Sequence, residues 1–270
     1  MVGSALVPFL AASGHEVVRV PRGEFAIADG CDTVVHLAGE NIAGRWTPAK
    51  KRKIHESRKR GTQTLCDALA PMAKRPRVLV CASAIGIYGD RGEEWITEES
   101  ETGRGFLADV CRDWEAATES AARAGVRVVN LRIGVVLSPR GGALGKTLLP
   151  IKLGVGGVVG DGRQYWSWIE IDDLVAVILH ALTDERLRGP VNAVAPNPVT
   201  NREYTKTLGR VLRRPTMLPL PAFVARLAFG EMADAVLLAG ARVQPKRLQA
   251  AGYRFRFPQL EGALRHLLGK

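Results

Sequence analysis

The chain has 270 residues, of which 46% are hydrophobic and 24% charged, and its mean hydropathy is zero. That composition suits a globular protein with a sizeable core, and the chain shows no convincing internal repeat and no low-complexity tract. A membrane span, which needs about 18 unbroken apolar residues, is excluded. The net charge of +11 suits an anionic partner, and without an aromatic-rich RNA motif it favours a small molecule over nucleic acid. Four widely spaced cysteines (31, 66, 81 and 111) form no CxxC pair. Neither zinc nor a disulfide framework is indicated, and a reducing, cytoplasmic setting is expected.

In chain order, residues 3–12 read as a helix stopped by Gly14. The apolar N-terminus lacks a basic flank, so it is read as this helix and not as a signal peptide. Glu16–Val20 reads as a strand ending at Pro21 and Arg22. Thr33–Leu37 reads as the next strand, running into Ala38 and Gly39, where small residues allow backbone to approach a ligand. Thr47-Pro48 starts a long helix through Ala70. Its run Lys50–Lys53 and Arg58–Arg60 is either a solvated face or, at Arg58, a phosphate contact.

Val78–Ala82 is a buried parallel strand that ends in Ser83 and leads to Tyr88-Gly89-Asp90. Residues 93–105 are an acidic loop. Phe106–Ala124 reads as one helix with an apolar stripe through Leu107, Val110, Cys111 and Trp114. Val126–Leu131 is a further strand, followed by Arg132-Ile133-Gly134. A glycine-rich stretch with a short helix covers 141–157. Residues 160–171 are a loop entering a strand, and Asp172-Asp173 are expected to cap a helix over 174–183. After the strand 191–194, Thr200 and Glu203 form a capping pattern. A proline-spaced linker, 215–221, precedes a helical C-terminus.

Strands alternating with helices specify an α/β fold, a Rossmann-type doubly wound parallel sheet with a small, mainly helical C-terminal lobe. Right-handed crossovers bring every strand's carboxyl end to one edge, where such folds bind ligands. Arg22, Leu37–Gly39, Ala82, Ser83 and Arg132–Gly134 all fall there. A basic residue at the position of Arg22 suits an adenosine 2′-phosphate, so NADP is expected over NAD. Arg163, Tyr165 and Trp166 present a guanidinium and aromatic faces, which suit an anionic or ring-bearing substrate.

Several motifs in order carry a resemblance: HLAGEN (36–41), SAIGIYGD (83–90), RIGVVLSPRGG (132–142), GDGRQYWSWIEIDDL (160–174) and NAVAPNPVTNREY (192–204). Together they resemble the extended short-chain dehydrogenase/reductases, in particular the epimerase-family branch with a small C-terminal helical domain. The resemblance implies a nucleotide-binding domain over 1–215, with substrate-side segments from about 140, and a helical domain over 216–270. It also implies NADP(H) binding and oxidoreductase or epimerase chemistry.

Two departures stand out. The family's first strand and glycine turn are represented only by their last glycine, Gly3, which predicts weakened cofactor binding and low stability for the chain as written. The family's Tyr/Lys pair is also missing, since Leu107 and Cys111 occupy its two positions. Ser83 retains the place of the carbonyl-polarising hydroxyl. Tyr88 supplies the nearest phenol and is either a proton donor or a packing residue, while Lys146 and Asp109 are weaker candidates. Two readings stay open: an NADP(H)-dependent enzyme with a non-standard proton donor, and a non-catalytic NADP-binding regulator or interaction protein.

Overall fold

The computed structural model describes residues 1–21 and 23–270. In chain order its elements are α1 (Val2–Ala12), β1 (Thr33–His36), α2 (Pro48–Leu69), β2 (Val78–Ala84), β3 (Trp95–Ile96), α3 (Phe106–Ala116), α4 (Glu119–Arg123), β4 (Arg127–Ile133), β5 (Val135–Ser138), α5 (Gly142–Lys152), β6 (Tyr165–Trp166), β7 (Trp168–Glu170), α6 (Ile171–Thr183), β8 (Gly189–Ala193), β9 (Val199–Thr200), α7 (Asn201–Leu212), α8 (Ala222–Phe229), β10 (Arg242–Val243), α9 (Lys246–Ala250) and α10 (Leu260–Leu268).

The main sheet is parallel throughout, in the order β1-β2-β4-β8. Its central strands are apolar because both faces are covered. Side chains alternate across β2: Val78 and Val80 join Leu6, Leu10 and the α6 residues Leu174 and Ile178 on one face. Leu79 and Cys81 join Leu65 and Leu69 of α2 with Trp114 on the other. Each fully buried aliphatic side chain in these layers contributes about 1.5–3 kcal/mol. Crossover helices on both faces make the sheet doubly wound.

Local signals set several boundaries as expected. Thr47 accepts from the Lys50 amide ahead of Pro48. Thr200 and Glu203 form a reciprocal capping box at α7.

Elsewhere the structure corrects the sequence reading. Glu16–Val20 is not a strand: it pairs with nothing in the sheet and leaves Val18 and Val20 exposed. Its alternation of apolar residues found no neighbouring backbone, and β1 is the edge of the sheet. Between that edge, α1 and the 15–20 segment runs a groove of about 1650 Å³. The helix expected over 106–124 is broken at Ala117-Thr118, where the Thr118 hydroxyl donates to the Glu115 carbonyl. Glu170, not Asp172-Asp173, caps α6, its carboxylate accepting from both of their amides. Asp173 instead accepts from the amides of Arg256 and Phe257, at 2.8 Å each. The loop over 93–105 contains β3, which pairs with β10 and stitches the C-terminal segment to the sheet's ligand edge.

Candidate functional site at the carboxyl edge of the sheet

Strand register assembles the centre of the site. Ser83 on β2 lies beside Arg132 on β4, which lies beside Asn192 on β8. A row of polar groups therefore crosses three strands where each leaves the apolar core. The Ser83 hydroxyl donates to Glu115 Oε1 at 2.7 Å. Arg132 donates to both oxygens of Glu115, each at 2.8 Å. This is a two-point pair, planar and directional, with side-chain exposures of only 7% and 14%. Burial alone would lower the Arg132 guanidinium, but the hydrogen bonds and charge of Glu115 more than reverse it, so Arg132 is held above its ordinary pKa.

The network continues through Tyr88, which is fully buried. Its hydroxyl accepts from Arg132 Nη1 at 2.9 Å and donates to Asn192 Oδ1 at 2.7 Å. Burial raises this phenol above its ordinary pKa, with Arg132 pulling the other way. Asn192 is fixed in turn by the Gln244 carbonyl and the Glu98 carboxylate. The Tyr88 loop is seated by Gly103, where a Cβ would lie 2.2 Å from the Tyr88 carbonyl oxygen. Tyr88 thus sits inside the network with its proton and one lone pair committed.

Leu107 and Cys111 lie on α3 one turn apart, Leu107 close to Gly86 in the loop after Ser83. Burial pushes the Cys111 thiol up to about 12, so it is protonated at neutral pH and packed beside Ile87 and Tyr88. Asp109 pairs with Arg112, and Lys146 is exposed on α5.

The expected cofactor residues fall into three settings. Gly3, Leu37 and Ala38 line the 1650 Å³ groove together with Ser4, Ser57 and Gly61. No side chain caps the first turn of α1 there, and a helix N-terminus facing a groove is a suitable anion site. Arg58 closes over Gly39, whose Cβ would lie 3.3 Å from the guanidinium carbon. It donates to the carbonyls of Glu40 and Ile54 and lies over Trp114, and burial lowers its pKa. Ala82 is part of the core on the α2 face. Gly134 is packed: a Cβ there would meet the Ser167 carbonyl oxygen at 2.3 Å. Arg22 lies outside the described residues.

On the substrate side, Arg163 is exposed beside Asp161, whose carboxylate accepts from its amide. Tyr165 lies against Arg242, whose guanidinium is sandwiched between it and Trp95. Trp166 is buried on Tyr204. Sequence reasoning missed Glu115 and Asn192 as members of the network. The one available signal for Glu115 was its place on α3, four residues beyond Cys111 and on the same helical face.

A sequence model of the NAD dependent epimerase/dehydratase family matches residues 1–193, and one of a domain of unknown function, DUF1731, matches residues 220–267. The chain is 42% identical over 283 residues to the epimerase family protein Mb2239 of Mycobacterium bovis, covering 98% of this chain and 93% of that protein. It is 36% identical over 282 residues to the human epimerase family protein SDR39U1, covering 99% and 96%. The crystal structure of that human protein (isoform 2) with NADPH superposes with a TM-score of 0.92 at 35% identity, over 100% of this chain and 96% of the other.

Proposed function

Because this chain belongs to the NAD dependent epimerase/dehydratase family of extended short-chain dehydrogenase/reductases, we propose that it binds NADP(H) at the carboxyl edge of its sheet and works there as an oxidoreductase or epimerase on a small anionic substrate. The human relative that superposes over the whole chain was crystallised with NADPH, which supports the choice of cofactor. The residues present fit such a group. The uncapped first turn of α1 and the side-chain-free Gly3 can receive a pyrophosphate, Leu37 and Ala38 can flank the nucleotide, and Arg58 stands at the rim over Gly39. When bound, the cofactor supplies or takes the hydride.

The observation that carries the catalytic half of the reading is the Ser83–Glu115 hydrogen bond. Glu115, paired with Arg132, accepts the Ser83 proton, which orients the hydroxyl and leaves its lone pairs to accept from a substrate hydroxyl. Tyr88, through Arg132 and Asn192, positions that pair from behind. Arg163, Tyr165 and Trp166 are proposed to bound the substrate, and the two-domain division at 215–216 is proposed with them. The ranges of the two family models support that division.

The second reading, a non-catalytic NADP-binding regulator, draws on Leu107, Cys111 and the committed Tyr88 hydroxyl. NADPH consumption against a panel of small anionic carbonyl compounds separates the two. The first reading expects turnover that falls about 100-fold in Ser83→Ala while NADPH affinity holds, the scale of one lost proton-handling or polarising group. Binding without turnover across the panel supports the second.

A further inference from the structure

A second cluster of ionisable groups lies away from the Ser83 network, where α10 meets the start of α6. Glu170 is fully buried at the end of β7. Its Oε2 accepts the amides of Asp172 and Asp173 at 2.6 and 3.0 Å. Its Oε1 is equally buried and accepts no hydrogen bond. A buried carboxylate oxygen left without a partner is costly, so native structures ordinarily give it one. The Asp172 carboxylate is adjacent, and His266 Nε2 lies 2.9 Å from its Oδ2. One ligand atom from each of Glu170, Asp172 and His266 lies within 4.8 Å of the other two. Among the described residues, no lysine or arginine forms an ion pair with either carboxylate.

The surroundings hold these groups in place. The His266 ring stacks on Phe257 at 4.5 Å, and the Phe257 amide is tied to Asp173. Asp173 is thereby occupied and leaves the cluster to the other three. Two carboxylates and one imidazole are the donor set of a borderline divalent cation such as Zn²⁺. Tetrahedral ligands at about 2.0–2.2 Å from the ion sit about 3.3–3.6 Å apart. The half-exposed side chains of Asp172 and His266 can supply the remaining closure.

We propose that Glu170, Asp172 and His266 form a divalent-metal site, of zinc type with water completing the shell, that fastens α10 to the β7–α6 junction. The site is independent of the cofactor reading, since none of its ligands belongs to the Ser83 network.

The test uses untagged full-length chain stripped with chelator and dialysed. Calorimetry with Zn²⁺, and with Mg²⁺ as comparator, reads stoichiometry and affinity, and the visible spectrum with Co²⁺ reads the donor set. The expected result is one Zn²⁺ per chain, preferred over Mg²⁺, with a cobalt spectrum lacking thiolate charge transfer. Affinity is expected to fall about tenfold or more in His266→Ala and in Glu170→Gln and to hold in Cys31→Ser. His266→Ala alters an exposed position and decides the matter if Glu170→Gln fails to fold. Absence of stoichiometric zinc, or unchanged affinity in His266→Ala, overturns the proposal.

Discussion

The two halves of the ligand edge are built on opposite terms. Around Ser83 the polar groups are buried and paired with one another, from Glu115 through Arg132 and Tyr88 to Asn192. Around α1 and β1 the surface is open: a groove of about 1650 Å³ runs past Gly3 and Leu37, and Val18 and Val20 face solvent. The first half is a preorganised electrostatic frame, whose geometry is set before any ligand arrives. The second is a groove lined by Gly3, Ser4 and Ala38 but also by Phe25, Ile27 and Arg77, and it is the one proposed to receive the cofactor. Changes in the frame should therefore be felt as stability first, and changes in the exposed 16–20 segment beside the groove hardly at all.

The sharpest way to break this contrast is Glu115→Ala. It leaves the Arg132 guanidinium buried without its partner, and the loss should be about 3–5 kcal/mol, read as a shift in the denaturant midpoint. A loss below about 1 kcal/mol would mean that water or another acceptor replaces Glu115 and that the frame is not preorganised. Next is Tyr88→Phe. It removes a hydroxyl that satisfies both Arg132 and Asn192, and should destabilise by about 1–3 kcal/mol with NADPH affinity unchanged. Abolished turnover at unchanged stability would instead make Tyr88 the proton donor. The smallest effect is expected from Val18→Ser in the exposed segment, under about 0.5 kcal/mol. A larger loss would show that the segment packs more tightly than its 48% exposure implies.

How much of this could be read from the sequence follows the range of the interactions involved. The doubly wound sheet was legible because alternating strands and helices announce it locally, and Thr47 and Thr200 announced their helices through side-chain caps. The position of Ser83 at a carboxyl edge followed from the strand that precedes it. What stayed hidden depends on distant partners. Glu16–Val20 has the composition of a strand but no ladder to join. Strand β3 is two residues long and exists only because Arg242-Val243 comes back to pair with it. Glu115 and Arg132 meet between a helix and a strand, and no periodicity in either segment encodes that meeting. Glu170 took the cap expected of Asp172-Asp173 because its own carboxylate already reaches both amides.

Nucleotide binding is the central claim, and a paired calorimetric titration with NADPH and NADH on the native chain and on Arg22→Ala tests it most directly. One NADPH per native chain is predicted, bound more tightly than NADH, with that preference weakened in Arg22→Ala, because a basic residue at this place in the sequence suits a 2′-phosphate. No binding of either nucleotide by a folded native chain would contradict the account at its root.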